Sequence, residues 1–181
     1  MAKKRGRETA RDMVFSMGAV LLTVLVILTI TFRKHDQTLP EANFTSALSA
    51  AQAQSNWPVF IPSVEILNSP TKFKLTQARY EAESYGNSTD TRWYLGYRTA
   101  ENRYISLWQS DGQIEQIVAT ASNEGQCIGS VQIAGKLWQK CSQAKPLSRV
   151  IFRKDGDTVL VVSGTESFPN LINFAAGLRK S

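Results

Sequence analysis

The chain has 181 residues, with 21 Lys and Arg, 15 Asp and Glu, one His and two Cys, and a formal charge of +6. The single histidine, His35, excludes a Ser-His-Asp or Cys-His centre inside a folded domain, and two cysteines without a nearby histidine make no zinc set. The positive excess does not point to nucleic acid, because residues 1–12 and the pair Arg33-Lys34 hold it, while fourteen basic residues face thirteen acidic ones from Asp36 onward.

The first element is the run 13–32, twenty residues without a charge (MVFSMGAVLLTVLVILTITF). At about 1.5 Å per residue, some twenty residues match a hydrocarbon core of roughly 30 Å, so the run predicts a transmembrane helix. Lys3, Lys4, Arg5, Arg7 and Arg11 precede it, and only Arg33 and Lys34 follow closely. That asymmetry predicts a cytoplasmic basic tail over 1–12 and an extracytoplasmic C-terminal part. The apolar stretch of a cleaved signal peptide runs about 7–15 residues and ends at small residues. This one ends at Thr31-Phe32-Arg33-Lys34, and no cysteine lies near it for lipid attachment. The expectation is an uncleaved, single-pass signal-anchor protein of the cell membrane, with the lipid bilayer as its first partner.

Residues 33–40 read as a linker ending at Pro40, and 41–181 as one domain of ordinary length. Phe44, Ala47, Leu48 and Ala51 carry the helical period over 41–55. The segment Trp57-Pro58-Val59-Phe60-Ile61-Pro62 must leave that helix, since each proline lacks a donor and restrains its predecessor. Strands are expected over 73–82, 91–99 and 103–109, with a loop around Tyr85-Gly86-Asn87 after the first. Trp93, Leu95 and Tyr97 share one face of the second. In the third, Ile105 and Leu107 oppose Tyr104 and Trp108. A helix follows, with Ser110 as its cap, Gln113 three residues on, and Ile114, Ile117, Val118 and Ala121 as its apolar stripe. Four further strands, over 127–133, 137–142, 147–153 and 158–163, precede a last helix over 167–178 with Pro169 in its first turn.

The runs Val150-Ile151-Phe152 and Val159-Leu160-Val161-Val162 are apolar on both faces, which requires cover on both sides of the sheet. The fold class expected is therefore α+β: an N-terminal transmembrane helix, then a three-layer α/β/α domain with a mainly antiparallel sheet of six or seven strands. Its element order resembles the PsbP-like α/β/α sandwich. A second resemblance covers nearly the whole chain. It is carried by Arg11-Asp12-Met13, the 57–62 connection, Arg79-Tyr80-Glu81, Leu95-Gly96-Tyr97, Leu107-Trp108-Gln109-Ser110, Gly135-Lys136-Leu137-Trp138 and Ser163-Gly164-Thr165. With these the chain resembles an actinobacterial family of single-pass membrane-anchored proteins catalogued as a domain of unknown function. The resemblance implies a bacterial plasma membrane and an envelope-facing domain, and no activity.

Candidate chemistry is sparse. His35 reads as a flank residue of the apolar run. Two carboxylate pairs have hydrolase spacing, Asp111 with Glu115 on one helix and Glu81 with Glu83 on one strand face, although both also fit a solvated surface. Asp155-Gly156-Asp157 is too short for a calcium loop and suits a hairpin turn. Asn43-Phe44-Thr45 and Asn87-Ser88-Thr89 match the glycosylation triplet. Trp57, Trp93, Trp108 and Trp138, with Tyr85, Tyr94 and Tyr104, either line a sugar or peptide groove or form core. The function expected is a non-enzymatic, membrane-anchored extracytoplasmic binding or accessory domain without a cofactor, its partner an envelope protein or a glycan. The alternative is an envelope hydrolase using paired carboxylates. Cys127 and Cys141 straddle the Ala134-Gly135-Lys136 turn. An odd-residue loop sets them opposite one another as a disulfide, which an external compartment permits. A two-residue loop turns them to opposite faces as free thiols.

Overall fold

The computed structural model describes residues 13–25, 43–82 and 90–181. The chain divides into two units, 1–38 and 39–181. In the first, helix α1 is described over 13–25, with its side chains exposed. Among the described residues no helix is long and apolar enough to cross a membrane. This overturns the expected transmembrane helix over 13–32, and with it the single-pass topology, the bilayer as partner and the membrane address. The remainder of that run, the 33–40 linker, His35 and the 1–12 tail lie outside the described residues.

The second unit holds α2 (Phe44–Gln54), β1 (Phe60–Pro62), α3 (Val64–Leu67), β2 (Lys74–Glu81), β3 (Arg92–Arg98), β4 (Tyr104–Ser110), α4 (Ile114–Ser122), β5 (Gln126–Ile133), β6 (Lys136–Gln143), β7 (Ser148–Asp155), β8 (Thr158–Gly164), α5 (Phe168–Ala176) and β9 (Leu178–Lys180). It is a mixed α/β domain. Seven strands form one antiparallel sheet in the order β2-β3-β4-β8-β7-β6-β5. The short strands β1 and β9 make a separate antiparallel ribbon.

The two faces of the sheet are covered unequally. On one, Trp93, Leu95, Tyr97, Ile105, Leu107, Leu160 and Val162 pack with residues of α2, α3, α5 and the ribbon into the main core. On the other, α4 lays Ile117 and Ala121 on Val150, Val159 and Val161, a smaller cluster. The apolar runs of β7 and β8 thus receive cover on both sides because they sit in the middle of the sheet.

Local details differ from expectation in two places. The α4 cap is Gln113, and its side chain makes no capping bond. Ser110 instead ends β4, buried, where its hydroxyl donates to Asp90. A residue that packs in a strand end is not free to turn outward and cap a helix. The last helix stops at Ala176, and 178–180 form β9, because Phe60, Ile61 and Pro62 offer a pairing partner. The 57–62 connection is held by long-range bonds. Gln109, fully buried, accepts from Phe60 N–H at 3.0 Å through Oε1 and donates to the Pro58 carbonyl at 2.8 Å through Nε2. The Trp93 indole N–H donates to the Phe60 carbonyl at 3.0 Å. Buried backbone groups that cannot join the main sheet are thereby satisfied by side chains.

Candidate functional site: an arginine–aromatic sheet face

Alternation splits the aromatic residues into two sets. Trp93 and Trp138 are core, and Trp57 packs against that core. Tyr94, Tyr104 and Trp108 stand on the opposite face, that of α4. The register places Arg79, Tyr94 and Trp108 side by side across β2, β3 and β4. Glu81 and Arg92 lie one step along, and Gln77, Gly96 and Ser106 one step back. Tyr94 and Trp108 meet edge to face with ring centroids 5.4 Å apart. The Arg79 guanidinium lies 4.8 Å from the Tyr94 ring centre, and that of Arg92 lies 5.6 Å from the Trp108 ring centre. Such a guanidinium is attracted by the negative face of the ring, by about 0.5–2 kcal/mol depending on exposure.

Polar groups fix the array. Glu81 accepts from Arg79 at 3.0 Å and lies 3.6 Å from Arg92, which also reaches Asp90 at 3.4 Å. The Trp108 N–H donates to Ser106 Oγ at 3.0 Å, which hydrogen-bonds Ser163 Oγ at 2.9 Å. The hydroxyls of Tyr94 and Tyr104 bond to each other. Gly96 makes room for that pair, since a Cβ there would collide with the Tyr104 phenol. Burial, with the Tyr94 hydrogen bond, pushes the Tyr104 phenol well above its ordinary range, so it stays protonated.

Of the remaining candidates, only Asp111 and the Asp155-Gly156-Asp157 turn are brought together. Asp111 lines a recess of ≈ 470 Å³ with Trp57, Asp155, Asp157 and Lys180, and accepts from Thr91 N–H at 2.7 Å. Glu115 lines a different slot, so the structure does not join this pair. Asp155 pairs with Arg153 beside its hairpin turn. Glu81 is held by two arginines, while Glu83 lies outside the described residues, as do Tyr85 and Asn87. Asn43 caps α2, accepting from Ser46 N–H. Among the described residues no group of three His, Cys, Asp or Glu is placed to hold a metal. Among the described residues the hydrolase expectation has no metal group behind it, and its Asp111–Glu115 pair is not brought together.

Cys127 and Cys141 stand directly opposite on β5 and β6, and their sulfurs are bonded. The loop between the strands has two residues, Ala134 and Gly135, both with positive φ. That length alone would put the thiols on opposite faces. The β-bulge between Cys127 and Gly129 absorbs one residue and restores the register.

Two polar residues escaped the pattern analysis. Gln109 is one. The other is Glu166, buried, which accepts from Thr99 Oγ1, Ser167 N–H and Asn170 Nδ2 and so ties the β3–β4 turn to α5. Burial pushes its carboxyl up, but these hydrogen bonds and the charge of Arg103 outweigh it and hold the group below the ordinary carboxylate range. The arginine–aromatic pairing had one faint signal, Arg79 and Arg92 each at alternate positions from a carboxylate or an aromatic residue.

The profile of a family described as "Protein of unknown function (DUF4245)" matches residues 5–178. No curated protein and no solved structure matches the chain. The resemblance to a single-pass, membrane-anchored family is corrected accordingly. The match gives a domain identity, and the described residues hold no spanning helix to anchor it. The likeness to the PsbP-like sandwich finds no matching structure behind it. An envelope protein or glycan partner is left without support.

Proposed function

This chain belongs to the DUF4245 family of unknown function, and from that premise we propose that it is a non-enzymatic protein-interaction domain that docks a partner on the arginine–aromatic face of β2, β3 and β4. The observation that carries the proposal is the stacking of Arg79 on Tyr94 and Arg92 on Trp108. Trp, Tyr and Arg are the residue types that dominate binding hot spots, because they bring large area and directed polar groups at small cost in side-chain freedom. Here the rings are braced against each other and the guanidinium groups are held over them, so much of that freedom is already lost before binding. Tyr94 is buried beneath the array and Arg79 is exposed above it, so the face offers guanidinium groups backed by rings, which suits an extended macromolecular surface better than an enclosed small ligand. The half-buried Tyr104 phenol, bonded to the Tyr94 hydroxyl, braces the array.

The test uses the full chain in cells that produce it, with a photo-crosslinking residue at exposed Gln77 on this face or at exposed Asn173 on α5. A discrete adduct from position 77, absent from position 173 and reduced at least tenfold by Arg79→Ala with Arg92→Ala, is expected. Equal capture from both positions, or an adduct indifferent to the arginines, would overturn the reading.

A further inference from the structure

Tyr97 stands on the covered face of β3 and is 2% exposed, its ring centroid 5.5 Å from that of Phe174. Among the described residues nothing hydrogen-bonds its hydroxyl. Burial alone acts on this phenol and pushes it far above its ordinary range, so it stays protonated. It is a donor without an acceptor, and a buried polar group normally has a partner. The buried side-chain atoms that lack a partner and are sealed from open space are Ser69 Oγ, Tyr80 Oη and Arg92 Nε. Tyr97 Oη is not one of them. The hydroxyl of this otherwise enclosed side chain therefore meets open space.

The open space that Tyr97 lines is a cavity of ≈ 230 Å³, walled also by Phe44 of α2, Pro62 of β1, Leu67 of α3, Phe73 and Leu75. All of those side chains are hydrocarbon, so among the described residues the phenol is the one polar side chain of the lining. The wall bends at Leu75, where a bulge between Leu75 and Gln77 interrupts the ladder from the edge strand β2 to β3. Water is poorly held here, since an ordered molecule needs about two to four polar partners and the side chains offer a single one. An apolar lining with one polar group that fixes orientation is instead the make-up of a small-ligand pocket. An apolar cavity of about 150 Å³ stays dry and takes up benzene, and in proportion this one holds about nine heavy atoms. We propose that the cavity binds a small neutral molecule, an apolar body of about eight carbons with one carbonyl oxygen that accepts from the Tyr97 hydroxyl. A carboxylate is disfavoured, because among the described residues no cation lines the cavity to offset its desolvation. The site lies on the opposite face of β3 from Tyr94 and the stacked arginines, so it does not rest on partner docking there.

Titration of the full chain with two probes of matched shape tests it: acetophenone, which carries the carbonyl, and cumene, which has no acceptor. Backbone NMR signals of Leu67, Phe73, Leu75 and Tyr97 should shift with either probe, and acetophenone should bind about fivefold more tightly or better. Tyr97→Phe breaks no hydrogen bond within the protein, so the fold should persist. It should bring acetophenone down to the affinity of cumene and leave cumene unchanged. Leu75→Trp, which fills the cavity from a half-buried position, should abolish the shifts with both probes. The site would be overturned by no shift at these residues up to the solubility of the probes, or by equal affinity for the two on the parent chain. An acetophenone preference that survives Tyr97→Phe, or shifts indifferent to Leu75→Trp, would overturn it as well.

Discussion

The two faces of the central sheet obey the same alternation and end in different states. One is closed by α2, α3, α5 and the β1–β9 ribbon over a single large core. Among the described residues the other has only α4, nine residues long. A helix about 10–12 Å wide covers roughly two strands at a spacing of about 4.8 Å, and this sheet has seven. α4 occupies the middle, over β7 and β8, and leaves both flanks open. The left-over flanks are not ordinary solvated strand surface. One carries stacked arginines and aromatic rings, and the other ends in β5, a strand without charged residues. Coverage, more than composition, separates the scaffold from the surfaces that can bind.

That contrast can be broken most directly at the tryptophans. Trp93→Ala, in the closed face, is expected to cost about 3–5 kcal/mol, for the cavity it leaves and for the stranded Phe60 carbonyl. Trp108→Ala, on the open face, should cost clearly less in the same urea denaturation series. Equal losses would mean that the two faces contribute alike and that the open face is structural.

The disulfide comes next. Its loss closes no cavity but frees a loop of fourteen-residue separation, worth about 3 kcal/mol in the chain-entropy account. Cys127→Ser with Cys141→Ser should lower the denaturation midpoint and speed amide exchange over 126–130 more than over the β3–β4 pair. Intact-mass measurement of the denatured, unreduced chain after alkylation should find no modified thiol. Two alkylated cysteines would remove the bond and its contribution to stability.

A smaller effect belongs to Glu166. Its carboxyl sits below the ordinary range in the folded chain, so it stabilises above its unfolded pKa, and that stabilisation is lost as pH falls through the folded value. Glu166→Gln should therefore flatten the acid side of the stability profile, below about pH 4.3, and leave the slope at neutral pH unchanged. An unchanged acid limb would show that the carboxylate does not tie the β3–β4 turn to α5.

The smallest change is expected from Arg92→Ala. The residue is partly exposed and paired to carboxylates at 3.4 and 3.6 Å, so its removal should alter stability by less than about 1 kcal/mol. The same substitution should reduce crosslinking from position 77. A large stability loss with intact crosslinking would reverse the assignment of roles on this face.

What the sequence determined by itself was local. The alternation of Trp93, Leu95 and Tyr97 set the inward face of β3, and Pro169 marked the first turn of α5, because each depends on neighbours one to four residues away. A long apolar run over 13–32 was equally legible, yet among the described residues no helix is long and apolar enough to cross a membrane, so a composition that permits a span did not establish one. Tertiary structure decided the rest. Gln109 reads as a strand-end polar residue until the 57–62 connection arrives across the core to use both ends of its amide. Leu178 ends the helix pattern read over 167–178, yet with Arg179 and Lys180 it joins a strand, because β1 offers these residues partners 116 to 120 positions earlier in the chain. The cysteines face each other only because a bulge offsets the two-residue turn, and the register of a hairpin depends on the whole ladder, not on the turn alone. Which face of the sheet stayed open depended on how many helices returned to it, a matter of long-range packing that no local period encodes.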